Sequence, residues 1–231
     1  QDIVIRNYFA IRPDLKMIKR ILMIGVPSGI ENGMFQFGKL AIQSSVSTLT
    51  AVQMSAEAMT VIFENLNGIA GIGTGIAMMT VVGQAIGAGR REEAKYYIVK
   101  MSVYAEMLII ISCAAVYLLA KPVLLISGLS TGAVNLSMYM LGWISVIKPI
   151  VWTCAFVPAY GMRSAGDVKF TMVVSTLVMW LCRVVLATVL IRVFSFGPMA
   201  VWIGMMTDWA IRGIIYIHRF MSGAWLRHKV I

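Results

Sequence analysis

Long runs of apolar side chains, separated by short basic or glycine-bearing stretches, fill the chain from residue 21 onward. Six blocks fall near 21–48, 53–87, 97–126, 133–162, 168–194 and 198–220. Each is at least as long as the roughly 20 residues a helix needs to cross the hydrocarbon of a bilayer. The pattern predicts an all-α, polytopic fold: a six-transmembrane-helix bundle over 21–220, with a linker at 1–20 and a tail at 221–231. A helix in lipid satisfies its own backbone, so information about function sits where the apolar pattern is interrupted. Pro27 in the first span, and Pro149 and Pro158 in the fourth, each remove a backbone donor and are candidate hinges.

Projected at about 100° per residue, the first span gathers Ser28, Asn32, Phe35, Gln36, Lys39 and Gln43 on one face, with Glu31 at its edge. Such a face either hydrogen-bonds to neighbouring helices or borders water and solute, and the ionisable Glu31 and Lys39 favour the second. In the second span Glu57, Glu64, Gly68, Gly71 and Gly75 share a stripe. The glycines suit close helix packing, whereas the carboxylates are functional candidates because charge within hydrocarbon is costly. Counting depth along ideal helices pairs Glu31 with Lys148, and Lys39 with Glu64 or Glu57. Protonation would release such pairs, and a static buried pair is the alternative. Trp152, Phe156 and Tyr160 near the prolines of the fourth span suit either packing or organic cations.

Composition agrees with the blocks: 59% of the 231 side chains are hydrophobic and 13% charged, and the mean hydropathy of +0.83 excludes an ordinary soluble domain. The net charge of +10 would suit nucleic acid, but the basic residues follow membrane topology instead. Arg6, Arg12, Lys16, Lys19 and Arg20, then Arg90, Arg91, Lys95 and Lys100, then Arg163 and Lys169, and finally Arg219, Arg227 and Lys229 all fall at one set of span ends. Because Lys and Arg are retained on the cytoplasmic side, both termini are expected there. Cys113, Cys154 and Cys182 stand singly in apolar spans and read as packing residues, with no metal site implied. His218 and His228 read as interfacial. No nucleotide-binding loop or nucleophile motif is present, so neither an enzyme nor an ATP-driven pump is expected, and no cofactor is implied. The absence of a signal-peptide pattern over Gln1 to Lys16 reads as a segment that begins inside a longer protein.

Five strings carry a resemblance. They are Gly83 to Lys95, Gly161 to Phe170, Met179-Trp-Leu-Cys-Arg183, Gly197 to Arg212, and Arg219-Phe-Met-Ser-Gly-Ala-Trp225. In this order the chain resembles the carboxy-terminal half of the multidrug and toxic compound extrusion (MATE) family, from about Lys16 to Arg227. The resemblance implies one lobe of a twelve-helix antiporter of the plasma membrane, that is, a cell inner membrane. Its partners would be the lipid bilayer and an amino-terminal six-helix lobe. The whole would export small amphipathic or cationic organic compounds in exchange for H+ or Na+, by rocking of the two lobes. For sodium-linked members it also implies an acidic residue on the first span, a place Glu31 could fill, and one on the fourth, where this chain offers Lys148-Pro149 and no carboxylate. A fixed ammonium repels sodium locally, so proton coupling, or coupling through the other lobe, is favoured. Arg183, Asp208 and Arg212 read as structural, Asp208 and Arg212 being an i, i+4 pair. A flippase of lipid-linked saccharides, which shares the lobe architecture, is the alternative; an intramembrane enzyme and a non-transporting assembly partner are weaker ones.

Overall fold

The computed structural model describes residues 14–227. Most of the predicted linker, the end of the tail, and Arg6, Arg12, His228 and Lys229 of the topology argument lie outside the described residues. Six long helices follow one another: α1 (Leu15–Val46), α2 (Ala51–Gly87), α3 (Arg91–Ile126), α4 (Thr131–Ser164), α5 (Val168–Arg192) and α6 (Met199–Met221). A short 3-10 turn, Ala224–Arg227, follows. Among the described residues there is no strand, and the architecture is an all-α bundle.

Polar residues at the block edges set several helix ends. Asp14 accepts from the backbone N–H groups of Lys16 and Met17 at 2.8 and 3.3 Å, satisfying donors that the first turn leaves free. α1 therefore starts several residues before the apolar block, through the basic Lys16 and Lys19. Thr50 and Gln53 form a reciprocal capping box on α2, and Ser130 caps α4 through the N–H of Ala133. α2, α3, α4 and α5 are each long and apolar enough to cross a membrane. α1 and α6 have sufficient length at about 1.5 Å per residue, but Glu31, Asn32, Gln36 and Lys39 interrupt one and Asp208 and Arg212 the other.

Pro27, Pro149 and Pro158 all lie inside continuous helices. α5 changes character midway, with Met179–Leu186 wound as a π-helix between two α-helical segments, a local widening often found at functional positions. The interior is densest where α4 meets α2, α3 and α6. Met78, Ile98, Ile109, Trp152, Trp209 and Tyr216 belong to one buried cluster there. The glycine stripe of α2 admits rings: a Cβ on Gly71 would lie 2.5 Å from Trp152, and one on Gly75 would overlap the ring of Tyr160. Outward faces stay apolar, with Leu118 and Leu119 on α3, and Leu177 and Leu181 on α5, all exposed. Such faces suit lipid.

α1 lies to one side, against α5 and the π segment. Gly204 of α6 is the tightest backbone approach in this region, since a Cβ there would sit 2.7 Å from the carbonyl oxygen of Cys182 in the π turn. A carbonyl cannot rotate away as a side chain does. Gly204→Ala should therefore lower stability by about 1–3 kcal/mol, the usual cost of overpacking. Gly25→Ala, which meets nothing within 4 Å, should be neutral or slightly stabilising. Thermal melting of the two variants in detergent, compared with the parent chain, checks both.

Candidate functional site: a charged cavity between the helices

A cavity of about 440 Å³ opens between α1, α2, α4, α5 and α6. Of the polar residues singled out on α1 and α2, Glu31, Asn32, Lys39, Gln43, Glu57 and Glu64 line it. Gln36 does not; its side chain is exposed on another part of α1. Helical periodicity explains the grouping on α1, because residues four apart return to one face. The opposite wall is aromatic. Trp152 and Phe156 of α4 stack with centroids 4.8 Å apart, beside Tyr160, and α6 contributes Trp202 and Trp209.

Three carboxylates reach this cavity, and each is satisfied differently. Glu31 receives a hydrogen bond from Arg163 Nη2 at 2.5 Å. Glu64 receives one from Lys148 Nζ at 2.6 Å, and the same ammonium donates to the Glu64 backbone carbonyl at 2.8 Å. Glu57 makes no ion pair among the described residues; it accepts a hydrogen bond from the Trp202 indole N–H at 2.7 Å. Lys39 lies 5.5 Å from the centroid of the Phe35 ring.

These contacts correct the expected pairing. Glu31 does not meet Lys148, and Lys39 meets neither Glu57 nor Glu64. Depth along upright helices ignores which helices are neighbours. α2 packs directly on α4, which brings Glu64 to Lys148, whereas α1 rests mainly on α5. Arg163, read as a topological charge at the end of α4, instead extends its long side chain to Glu31. Such a residue can bury its stem and send its head in either direction, so sequence position alone does not disclose its partner. Trp202 is a further site residue that sequence reasoning omits. Its indole supplies the neutral donor that an otherwise cation-free carboxylate requires.

Behind the α5 and α6 wall, the fully buried Asp208 stands between two guanidinium groups. Arg212 Nη2 donates to Oδ1 at 2.5 Å, and Arg183 Nε lies 3.7 Å from Oδ2. The i, i+4 pair forms as the sequence suggests, and Arg183 joins it from the π segment. Both arginines also contribute to the cavity lining, stacking over aromatic rings: Arg183 over Phe35 at 5.0 Å and Arg212 over Phe156 at 5.1 Å. Nearby, Tyr216 donates its hydroxyl to the Thr171 carbonyl and shares a hydrogen bond with Ser175. At the end of the bundle shared with Arg163, Arg219 holds Asp167 at 2.9 Å. The arrangement provides a solute-sized cavity with one ammonium, three carboxylates, three guanidinium groups and a bank of aromatic faces.

A MatE family model matches residues 27–189. The chain is 22% identical over 213 residues to a protein of Thermotoga maritima described as a probable multidrug resistance protein NorM, covering 92% of this chain and 46% of that one. It is also 22% identical over 214 residues to YisQ of Bacillus subtilis, described as an uncharacterized transporter, covering 91% and 46%. Its fold matches the crystal structure of a proline-to-alanine mutant of a MATE protein with a TM-score of 0.83 and 16% identity, over 96% of this chain and 50% of that one. A MATE structure in complex with MaL6 gives 0.81 and 16%, over 94% and 50%. The chain thus spans about half the length of the relatives it matches.

Removing one member of a buried charge cluster leaves the others uncompensated. Asp208→Asn should cost about 3–5 kcal/mol, because two guanidinium groups would then face each other. A marked fall in melting temperature and in the yield of monodisperse protein is the expected outcome. An unchanged melt would mean that the two arginines are hydrated from the cavity.

Proposed function

Because the chain belongs to the MatE family, we propose that this multi-pass membrane protein forms one six-helix half of an efflux transporter for amphipathic and cationic organic compounds. The observation that carries the reading is the convergence of acidic side chains from α1 and α2 with the aromatic wall of α4 and α6 on one cavity. Aromatic faces and carboxylates together attract an organic cation that has lost part of its water. Glu57 is the carboxylate best suited to it, since Trp202 satisfies one oxygen and no cation competes. A second six-helix lobe would close the open side of the cavity, and rocking between the lobes would give alternating access. Both termini of this segment would be cytoplasmic, in the plasma membrane.

Proton exchange is the coupling we favour over sodium. The other two cavity acids are already held by tethered cations, Glu31 by Arg163 and Glu64 by Lys148. A sodium ion would have to displace an ammonium or guanidinium group at hydrogen-bond distance. A proton, unlike sodium, requires no coordination shell of its own. A saccharide flippase is less well supported. Its anionic lipid-linked substrate requires several free basic groups, yet Arg163, Arg183 and Arg212 each face a carboxylate, which leaves Lys39 as the cavity cation without a carboxylate partner among the described residues.

Efflux of a cationic dye by the full-length protein, measured across a series of sodium concentrations and pH values, tests the proposal. Efflux should follow the proton gradient and be indifferent to sodium. Glu57→Gln should reduce it by about tenfold, as for a contact worth about 1.4 kcal/mol. Strict dependence on sodium would overturn the coupling, and the absence of dye efflux with retention of saccharide-lipid movement would overturn the exporter.

A further inference from the structure

Lys148 is fully buried, yet it lies immediately behind the cavity wall. Its ammonium occupies a built seat. Glu64 supplies a carboxylate oxygen at 2.6 Å and its main-chain carbonyl at 2.8 Å. The rings of Trp152 and Trp209 flank Nζ at 5.5 and 5.9 Å. Gly68 borders the seat, where a Cβ would lie in ordinary van der Waals contact 3.5 Å from Nζ. A carboxylate, a carbonyl and two aromatic faces recognise an ammonium group as such, with nothing in the set specific to lysine.

The other parts of the seat belong to the cavity. Glu64, Gly68, Trp152 and Trp209 are all in its lining, whereas Lys148 enters from behind on α4. The next residue, Pro149, has no N–H to bond the carbonyl of Ser145, so the helix lacks a rung where Lys148 is attached. The backbone there yields more easily than in the stretches of α4 that keep every rung.

We propose that this seat is a binding subsite for primary alkylammonium groups, and that Lys148 is a tethered occupant which the ammonium head of a ligand displaces. The subsite depends on the exporter reading only for calling that ligand a transported substrate. Hydrogen bonding to both Glu64 oxygens requires N–H donors, so primary ammonium is accepted and quaternary ammonium is not. Lys148 thereby sets selectivity as well as neutralising Glu64 while the seat is otherwise unfilled.

Chemical rescue tests this directly. Lys148→Ala in the full chain should melt below the parent in detergent. Ethylammonium chloride should raise that melting temperature progressively with concentration, as for a ligand of the folded state. Tetramethylammonium and choline at matched ionic strength should leave it unchanged. The parent, where ethylammonium must first displace Lys148, should show a smaller shift that appears only at higher concentration, and the Lys148→Ala/Glu64→Gln double variant should show none. Equal shifts in parent and variant, or no shift in the variant, would overturn the proposal. If Lys148→Ala is not recovered folded, its yield of monodisperse protein in medium supplemented with ethylammonium becomes the readout; increased yield supports the seat and unchanged yield overturns it. Rescue requires no transport, so rescue without dye efflux supports the seat and removes only the exporter.

Discussion

An ionised side chain among lipid-spanning helices costs about 3 kcal/mol or more unless something replaces its water, and this constraint organises the interior of the bundle. Glu64 and Lys148 answer one another across α2 and α4, Glu31 and Arg163 across α1 and α4, and Asp208 answers Arg183 and Arg212 across α5 and α6. Each solution joins different helices or adjacent turns, so the charges act as registers that fix how helices face one another. Glu57 is the exception among the cavity acids. Its indole partner gives it a hydrogen bond without a counter-charge, which leaves its electrostatic demand directed into the cavity.

The same constraint explains why part of the molecule is legible in the sequence. Apolar blocks of spanning length define α2 to α5 closely, because hydrocarbon tolerates few interruptions. The i, i+4 spacing of Asp208 and Arg212 is a local property of a helix and survives any packing. Pairings between helices are not local. Glu31 and Lys148 reach similar nominal depths, yet α4 turns Lys148 toward α2 and leaves Arg163 to Glu31. The π winding of Met179–Leu186 has no periodic signal in a single chain; it becomes apparent only where α6 approaches the Cys182 carbonyl at Gly204. Trp202 lies on another helix, far from Glu57 in sequence, and nothing in its surroundings marks it as the donor that Glu57 uses.

The paired charges stand beside an open geometry. The cavity has solute dimensions, carries acids on one wall and aromatics on the other, and holds two of its three acids through tethered cations. A closed electrostatic network would serve stability alone. Here Glu31, Glu64, Arg163, Arg183 and Arg212 line the space and Lys148 and Asp208 stand behind them, so a change in the network alters both the cavity wall and how the helices lean on each other. The proposed alternating-access transport would draw on that coupling.

The central claim is that the charged faces of α1 and α2 border water within the membrane. Thiol labelling in native membranes tests it most directly, with Cys113, Cys154 and Cys182 first replaced. Val61→Cys and Asn65→Cys, on the cavity side of α2, should react readily with a water-soluble maleimide. Leu118→Cys and Leu177→Cys, on exposed apolar faces outside the cavity lining, should not react. Unreactive cysteines at 61 and 65, or labelling confined to 118 and 177, would contradict the account.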